Sequence, residues 1–206
     1  MYVSDVYRTV SIRGIIMAYP NPSSFVPLVI GSTDGPALTA SATPASCIPT
    51  ASRIILPNNF WFIGKMLKVK LQGRISCAVT TPGTARFDLR TGPSGTIVAY
   101  DTGAMNLNIV AKSNVPFELE IDLTCRAVGT VTSSNLMGIG RFTSEAVIAS
   151  PLPTVGGNGS LMVPTTAPAV GTGFDNTAAN ALDMFFTQTV GTGSMTVHSY
   201  EVWESI

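Results

Sequence analysis

The most regular alternation of apolar and polar residues runs from Phe117 to Val128. Phe117, Leu119, Ile121, Leu123 and Cys125 share one parity, and Glu118, Glu120, Asp122, Thr124 and Arg126 share the other. Successive side chains of a strand point to opposite faces, so the stretch predicts a long strand with one dry and one wet face. A helix would scatter both sets around its circumference. A second such pattern spans Lys65 to Cys77, where Leu67, Val69, Leu71, Ile75 and Cys77 oppose Lys68, Lys70, Gln72 and Arg74. Its wet face is basic and that of the first stretch mostly acidic. Pairing the two would set Lys68 and Lys70 against Glu118 and Glu120, each pair contributing some tenths of a kcal/mol.

Shorter alternating or apolar runs follow the same period: Arg53–Leu56, Ala85–Arg90, Thr96–Asp101, Leu136–Thr143, a short strand at Ser160–Val163, Ala181–Gln188 and Met195–Glu204. Thr80–Thr84 has the composition of a hairpin loop, and Gly191-Thr192-Gly193 reads as the turn of a closing hairpin. About eight strands without an amphipathic helix predict an all-β chain, an antiparallel β-sandwich or jelly roll. Residues 1–35 are apolar but aperiodic, and their prolines disfavour both helix and central strand. They read as short edge strands or as an extended arm, and residues 36–51 as a small, polar linker. The expected organisation is therefore an N-terminal arm and linker over 1–50 and a sandwich domain over 51–206. Tyr2, Val3, Tyr7, Ile15, Ile16, Phe25, Trp61 and Phe62 are the candidate interface residues.

Composition changes the picture in one respect. Charged residues make up 12% of the 206 residues, about half the ~25% of ordinary soluble domains. So few charges predict a surface that meets other protein, although Ser, Thr, Asn and Gly also cover part of it. Lys plus Arg equals Asp plus Glu at 12 each, which argues against the excess cation of a nucleic-acid footprint. No run has the length of a membrane helix, and no signal peptide is read at the start. The three cysteines, Cys47, Cys77 and Cys125, are too few and too dispersed for a disulfide scaffold or zinc cluster. A reducing cytoplasm fits as the place of synthesis. Asn158-Gly159-Ser160 matches a glycosylation sequon, read as chance.

Candidate chemistry is sparse. His198 is the sole histidine and has no nucleophile motif near it in sequence. Nucleophile elbows, phosphate loops and zinc-protease motifs are lacking in the sequence. Glu118 and Glu120 have the spacing to imagine a glycosidase pair, whose carboxyls stand about 5–9.5 Å apart, but any solvated Glu-x-Glu strand has it too. Tyr200 and Trp203 admit sugar stacking, with core or interface as the simpler role. The reading is a non-enzyme with no catalytic residues, no cofactor and no metal.

The succession Ile55-Leu56-Pro57, Phe60, Gly64–Lys70, Gly73–Ser76 and Phe87–Arg90, then Phe117–Thr130, Met137–Phe142, Asn180–Asp183 and Met195–Val197, resembles a jelly-roll family of virion proteins of tailed bacteriophages and prophages. Members are head decoration (cement) proteins or related structural components. The resemblance is one of pattern over roughly residues 50–204 and leaves the first 35 unmatched. It implies a protein on the capsid exterior that binds the major capsid protein and stabilises its lattice. It also implies self-association, a trimer being one arrangement. A tail or head-fibre module binding a host receptor or glycan is the alternative.

Overall fold

The computed structural model describes residues 11–12, 15–16, 25–77, 81–148, 159–190 and 193–205. Two short pairs, β1 (Ser11–Ile12) and β2 (Ile15–Ile16), form a ribbon of their own. The body begins with β3 (Phe25–Ile30), β4 (Leu38–Thr39), β5 (Ala45–Ser46) and β6 (Ile54–Leu56). Then come β7 (Met66–Cys77), β8 (Thr84–Thr91), β9 (Ile97–Asp101), β10 (Met105–Asn106) and β11 (Lys112–Ala127). The chain closes with β12 (Asn135–Ser144), β13 (Gly159–Val163), β14 (Asn180–Gln188) and β15 (Ser194–Ser205). A 3-10 turn at Thr50–Ser52 interrupts the strands, and the described residues contain no α-helix.

These strands make a β-sandwich of two antiparallel sheets. The larger has the order β13-β12-β11-β7-β15-β3, with β4 beside the start of β15. In the smaller, β8 and β14 pair centrally; β9 and β10 flank β8, and β5 and β6 flank β14. Without β12 and β13 the large sheet is β11-β7-β15-β3, and the chain visits the sheets in the order large, small, large, small, small, large, small, large. That is the eight-strand jelly-roll course, with β12–β13 inserted after its sixth position. The segment read as arm and linker contributes β3, β4 and β5 to these same sheets, while Tyr2, Val3 and Tyr7 lie outside the described residues.

The two long amphipathic strands are neighbours, as their charge suggested. Glu120 lies opposite Lys70 and Asp122 opposite Lys68, while Glu118 faces Gln72. The register therefore sits two residues from the one expected, and Lys70 bridges both Glu118 (3.0 Å) and Glu120 (3.4 Å). Inside, Leu67, Val69, Leu71, Ile75 and Cys77 of β7 meet Phe117, Leu119, Ile121, Leu123 and Cys125 of β11, all buried. Phe87 of the small sheet anchors an aromatic cluster, with ring centroids 5.0 Å from Phe186, 5.6 Å from Phe117 and 5.7 Å from Phe142. All three cysteines are buried and free, and burial raises the thiol pKa of each.

Two expectations are corrected. β14 and β15 are not a hairpin, and neither are β7 and β8. In each case the link crosses from one sheet to the other, because each strand already has partners in its own sheet. A short Gly-rich link between two strands does not say whether they share a sheet. The closing strand also changes parity: Met195 and Val197 point inward, then Tyr200 and Val202. His198 is the extra residue of a β-bulge between Val197 and Ser199, and it stands exposed.

Candidate interaction surfaces

One end of the sandwich is built by three loops that a single asparagine ties together. Asn176 is buried beside Trp61. Its side-chain amide donates to the Trp61 carbonyl and its Oδ1 accepts from the Trp61 N–H, both at 3.0 Å. Its backbone N–H donates to the Gly129 carbonyl and its carbonyl accepts from the Asn59 N–H. The β6–β7 loop, the β11–β12 loop and the segment before β14 are thereby held as one. Gly64 and Lys65 add two backbone hydrogen bonds to Cys125, each 2.9 Å. Replacing Asn176 with Ala strands a buried N–H and a buried carbonyl, each costing about 1–3 kcal/mol. The expected result is a melting temperature lower by roughly 10 °C, read by calorimetry.

This clamp settles the fate of the aromatic run before β7. Trp61 is drawn inward, 3% exposed, with its ring edge-on to Phe60 (5.2 Å) and Phe174 (6.3 Å). It is a core residue and offers no surface to a partner. Phe62 and Ile63 point out instead, 57% and 68% exposed. Val128 and Val131 project from the neighbouring loop, Val131 at 71% exposure and with φ of 60°. A β-branched residue in the left-handed region is uncommon and strained. It lies beside Asp175, whose carboxylate pKa is lowered first by the Thr177 hydroxyl and then by the Val131 N–H.

Phe25 and Val26, at the start of β3, lie beside Ser205 and Glu204 at the same end. Glu204 pairs with Lys65 at 2.7 Å, and the Lys65 ammonium sits over the Phe60 and Phe62 rings. The candidates Phe25 and Phe62 are thus brought to one rim with Ile63, Val128 and Val131, which the sequence reading missed. Ile15 and Ile16 fall in β2, and their side chains lie outside the described residues.

A second apolar surface lies on the outer face of the large sheet, at the inserted strands. Ile139 stands opposite Asp122, Met162 opposite Arg141, and Val170 bridges to Met137. Ile139, Met162 and Val170 are exposed at 47%, 62% and 48%. Toward β11 and β7 the same face becomes a lattice of cross-strand charge, Arg141–Glu120–Lys70–Glu201 along one row. An open groove of about 530 Å³ at the end of this lattice is lined by Gln72, Glu118, Glu120, Arg141, Thr143 and Glu145 among others.

Glu118 and Glu120 share the Lys70 ammonium, and hydrogen bonding to Lys70 lowers the Glu118 pKa and raises that of Lys70. A general acid needs its carboxyl pushed the other way. Because the folded Glu118 pKa lies below its unfolded value, its stabilisation is present above the ordinary carboxylate range and is lost as pH falls through the folded value. Glu118→Gln is expected to cost a few tenths of a kcal/mol at neutral pH, with the difference vanishing under acid in urea titrations. His198 Nδ1 lies 2.9 Å from Asp34 Oδ1, both exposed, an ion pair when the imidazole is protonated.

The outer face of the small sheet carries an ionic array. Asp88, nearly buried, accepts from Arg86 Nε at 2.9 Å and Arg90 at 3.2 Å, and Arg86 also reaches Asp101. Asp183 accepts from Ser46 at 2.7 Å and pairs with Arg53 at 3.2 Å, while the Arg90 guanidinium lies over the Phe185 ring. Burial, outweighing these partners, raises both the Asp88 and Asp183 pKa. Their sign is opposite to that of Glu118: protonation favours the folded state as pH drops through the raised values.

Among the described residues no group of three or more His, Cys, Asp or Glu side chains is placed to hold a metal ion. No described helix is long and apolar enough to cross a membrane. No family model, curated protein or solved structure matches the chain. The class established here is that of an all-β sandwich with jelly-roll strand order and displayed apolar surfaces.

Proposed function

We propose that the chain is a non-enzymatic structural protein of a virion, a decoration or cement protein that seats on the exterior of a capsid lattice and stabilises it. The observation that carries the reading is the apolar strip of Ile139, Met162 and Val170. Ile139 and Met162 stand on the two strands added to an eight-strand roll and Val170 bridges to the first of them, beside a face whose charges are matched within the sheet. An interface core is apolar and poor in unpaired charge, with a polar rim. Scarce charge elsewhere and a jelly-roll strand order agree with what the sequence resemblance implies. The partner is the major capsid protein, met after synthesis in a host cytoplasm.

The test is co-sedimentation of purified protein with expanded empty capsids, alongside heat inactivation of virions lacking it. Binding that is lost in Ile139→Asp/Met162→Asp, with deletion virions that fail at lower temperature, supports the reading. Protein that ignores capsids, together with a deletion virion as robust as its parent, overturns it. Immunogold label on tails with a positive glycan array would place the chain in a receptor-binding fibre instead.

A further inference from the structure

The two borders of the large sheet are built differently. One is β13, five residues long and followed by Pro164. The other is β3, which pairs with β15 on one side and, among the described residues, with no strand on the other. Its six residues, Phe-Val-Pro-Leu-Val-Ile, carry no charge. Phe25 and Ile30, at its two ends, are 44% and 57% exposed. Both stand on the outer face: Ile30 is opposite Glu201, and the Lys68 ammonium lies over the Phe25 ring at 5.8 Å. An uncharged border with free amide and carbonyl groups is a template for another strand.

The backbone of β3 determines which strand fits. Along an antiparallel pair, residues alternate between facing the neighbouring strand and facing away from it. The Gly31 N–H donates to the Tyr200 carbonyl, so Gly31 faces β15 and Ile30 faces away. Val29, opposite Val202, faces β15 again. Pro27 is next in register, opposite Trp203, which makes Leu28 the extra residue of a bulge. The bulge shifts the alternation by one, so Val26 faces β15 opposite Glu204, and Phe25 faces away as Ile30 does. Without it the two ends would face opposite ways.

A two-fold axis through the middle of β3 therefore sets Phe25 of each copy against Ile30 of the other. Each such pair exchanges N–H···O=C hydrogen bonds and lays an aromatic side chain beside a β-branched one on the outer face. Pro27, which has no N–H, falls in the central bulge, where the ladder is already interrupted. We propose that a second copy of this chain pairs antiparallel along β3, joining the two large sheets into one across a two-fold dimer. An uncharged strand meets its own copy without like-charge repulsion. Because the opposite border is short and ends at a proline, the pairing closes at two copies. It leaves the strip of Ile139, Met162 and Val170 at the far side of each sheet, so it stands or falls apart from the capsid reading.

The experiment uses the full chain. Analytical ultracentrifugation is expected to show a reversible dimer, with a dissociation constant of order micromolar for so small an interface. Ile30→Lys, a charge on the free border, is expected to weaken it at least tenfold with the melting temperature little changed. Trapping reads the register. The Cα atoms of a hydrogen-bonded pair stand about 5.5 Å apart, within disulfide range, whereas residues 25 and 30 of one chain are about 16 Å apart. The native cysteines are buried. Phe25→Cys mixed with Ile30→Cys is therefore expected to give a covalent dimer under mild oxidation, and neither variant alone to give one. A chain that stays monomeric at every concentration, or forms a trimer, overturns the proposal. So does a dimer that Ile30→Lys leaves intact, one that the mixture fails to trap, or one that each variant traps as well alone.

Discussion

Ile121→Asp is expected to abolish folding. Ile121 is fully buried at the middle of β11, with Val69 of β7 on one side and Gly140 of β12 on the other. Among the described residues no Lys or Arg is buried with it, and the lysines of β7 point to the opposite side of the sheet. An isolated carboxylate in such a place costs several kcal/mol even after it neutralises by protonation. The whole domain has about 5–15 kcal/mol to lose. The measurement is soluble yield and a cooperative thermal transition by circular dichroism. Ile121→Val, which removes one methylene, should melt normally at a cost of about 0.5–1.5 kcal/mol. A cooperatively melting Ile121→Asp would mean that the inward parity assigned to β11 is wrong.

Gly73→Val is the second large effect, and it acts through backbone. Gly73 occupies an inward position of β7, between Phe117 of β11 and Val197 of β15. A Cβ there would run into the Thr196 carbonyl oxygen and lie 2.9 Å from both the Val197 Cα and the Phe117 ring. The nearest obstacle is main chain, so no rotamer change relieves it. β7 and β15 must part next to the His198 bulge, and the loss should exceed the ~1–3 kcal/mol typical of overpacked cores. Gly95→Ala is the control, since Gly95 has positive φ but open space around it, and about 1–2 kcal/mol is expected there. Chemical denaturation of the two variants separates steric exclusion from backbone preference. Similar midpoints would show that β15 yields at the bulge.

Much of this architecture was legible in the residues. Strict alternation over β7 and β11 marked both as long half-polar strands, and their opposite charge marked them as neighbours. Register was less accessible, because Lys70 can serve Glu118 and Glu120 together and a two-residue slip keeps every parity. Sheet membership was hidden too: a Gly-rich link joins strands equally well within a sheet or across two. The parity of β15 failed at His198, where one extra residue inverts the pattern without a compositional mark. The rim was half visible. Phe25 and Phe62 stood out by size, but Trp61 beside Phe62 looks alike in sequence, and only the distant Asn176 decides which of them turns inward. Val131 gave no signal, since an isolated valine in a loop is ordinary, and Val128 fell on the polar parity at the end of the alternating stretch.

The inserted strands have a consequence for what the molecule avoids. In a bare eight-strand roll β11 would be the last strand of its sheet, leaving one side of a sixteen-residue strand with its amide and carbonyl groups unpaired. A long, regular strand of that kind is a template on which other chains stack without limit. β12 occupies ten of its positions, and β13, which then becomes the border, is five residues long and stops at Pro164. The detour through residues 135–163 thus replaces a long sticky margin with a short, proline-ended one. The exchange leaves less unpaired backbone on which another chain could stack edge to edge.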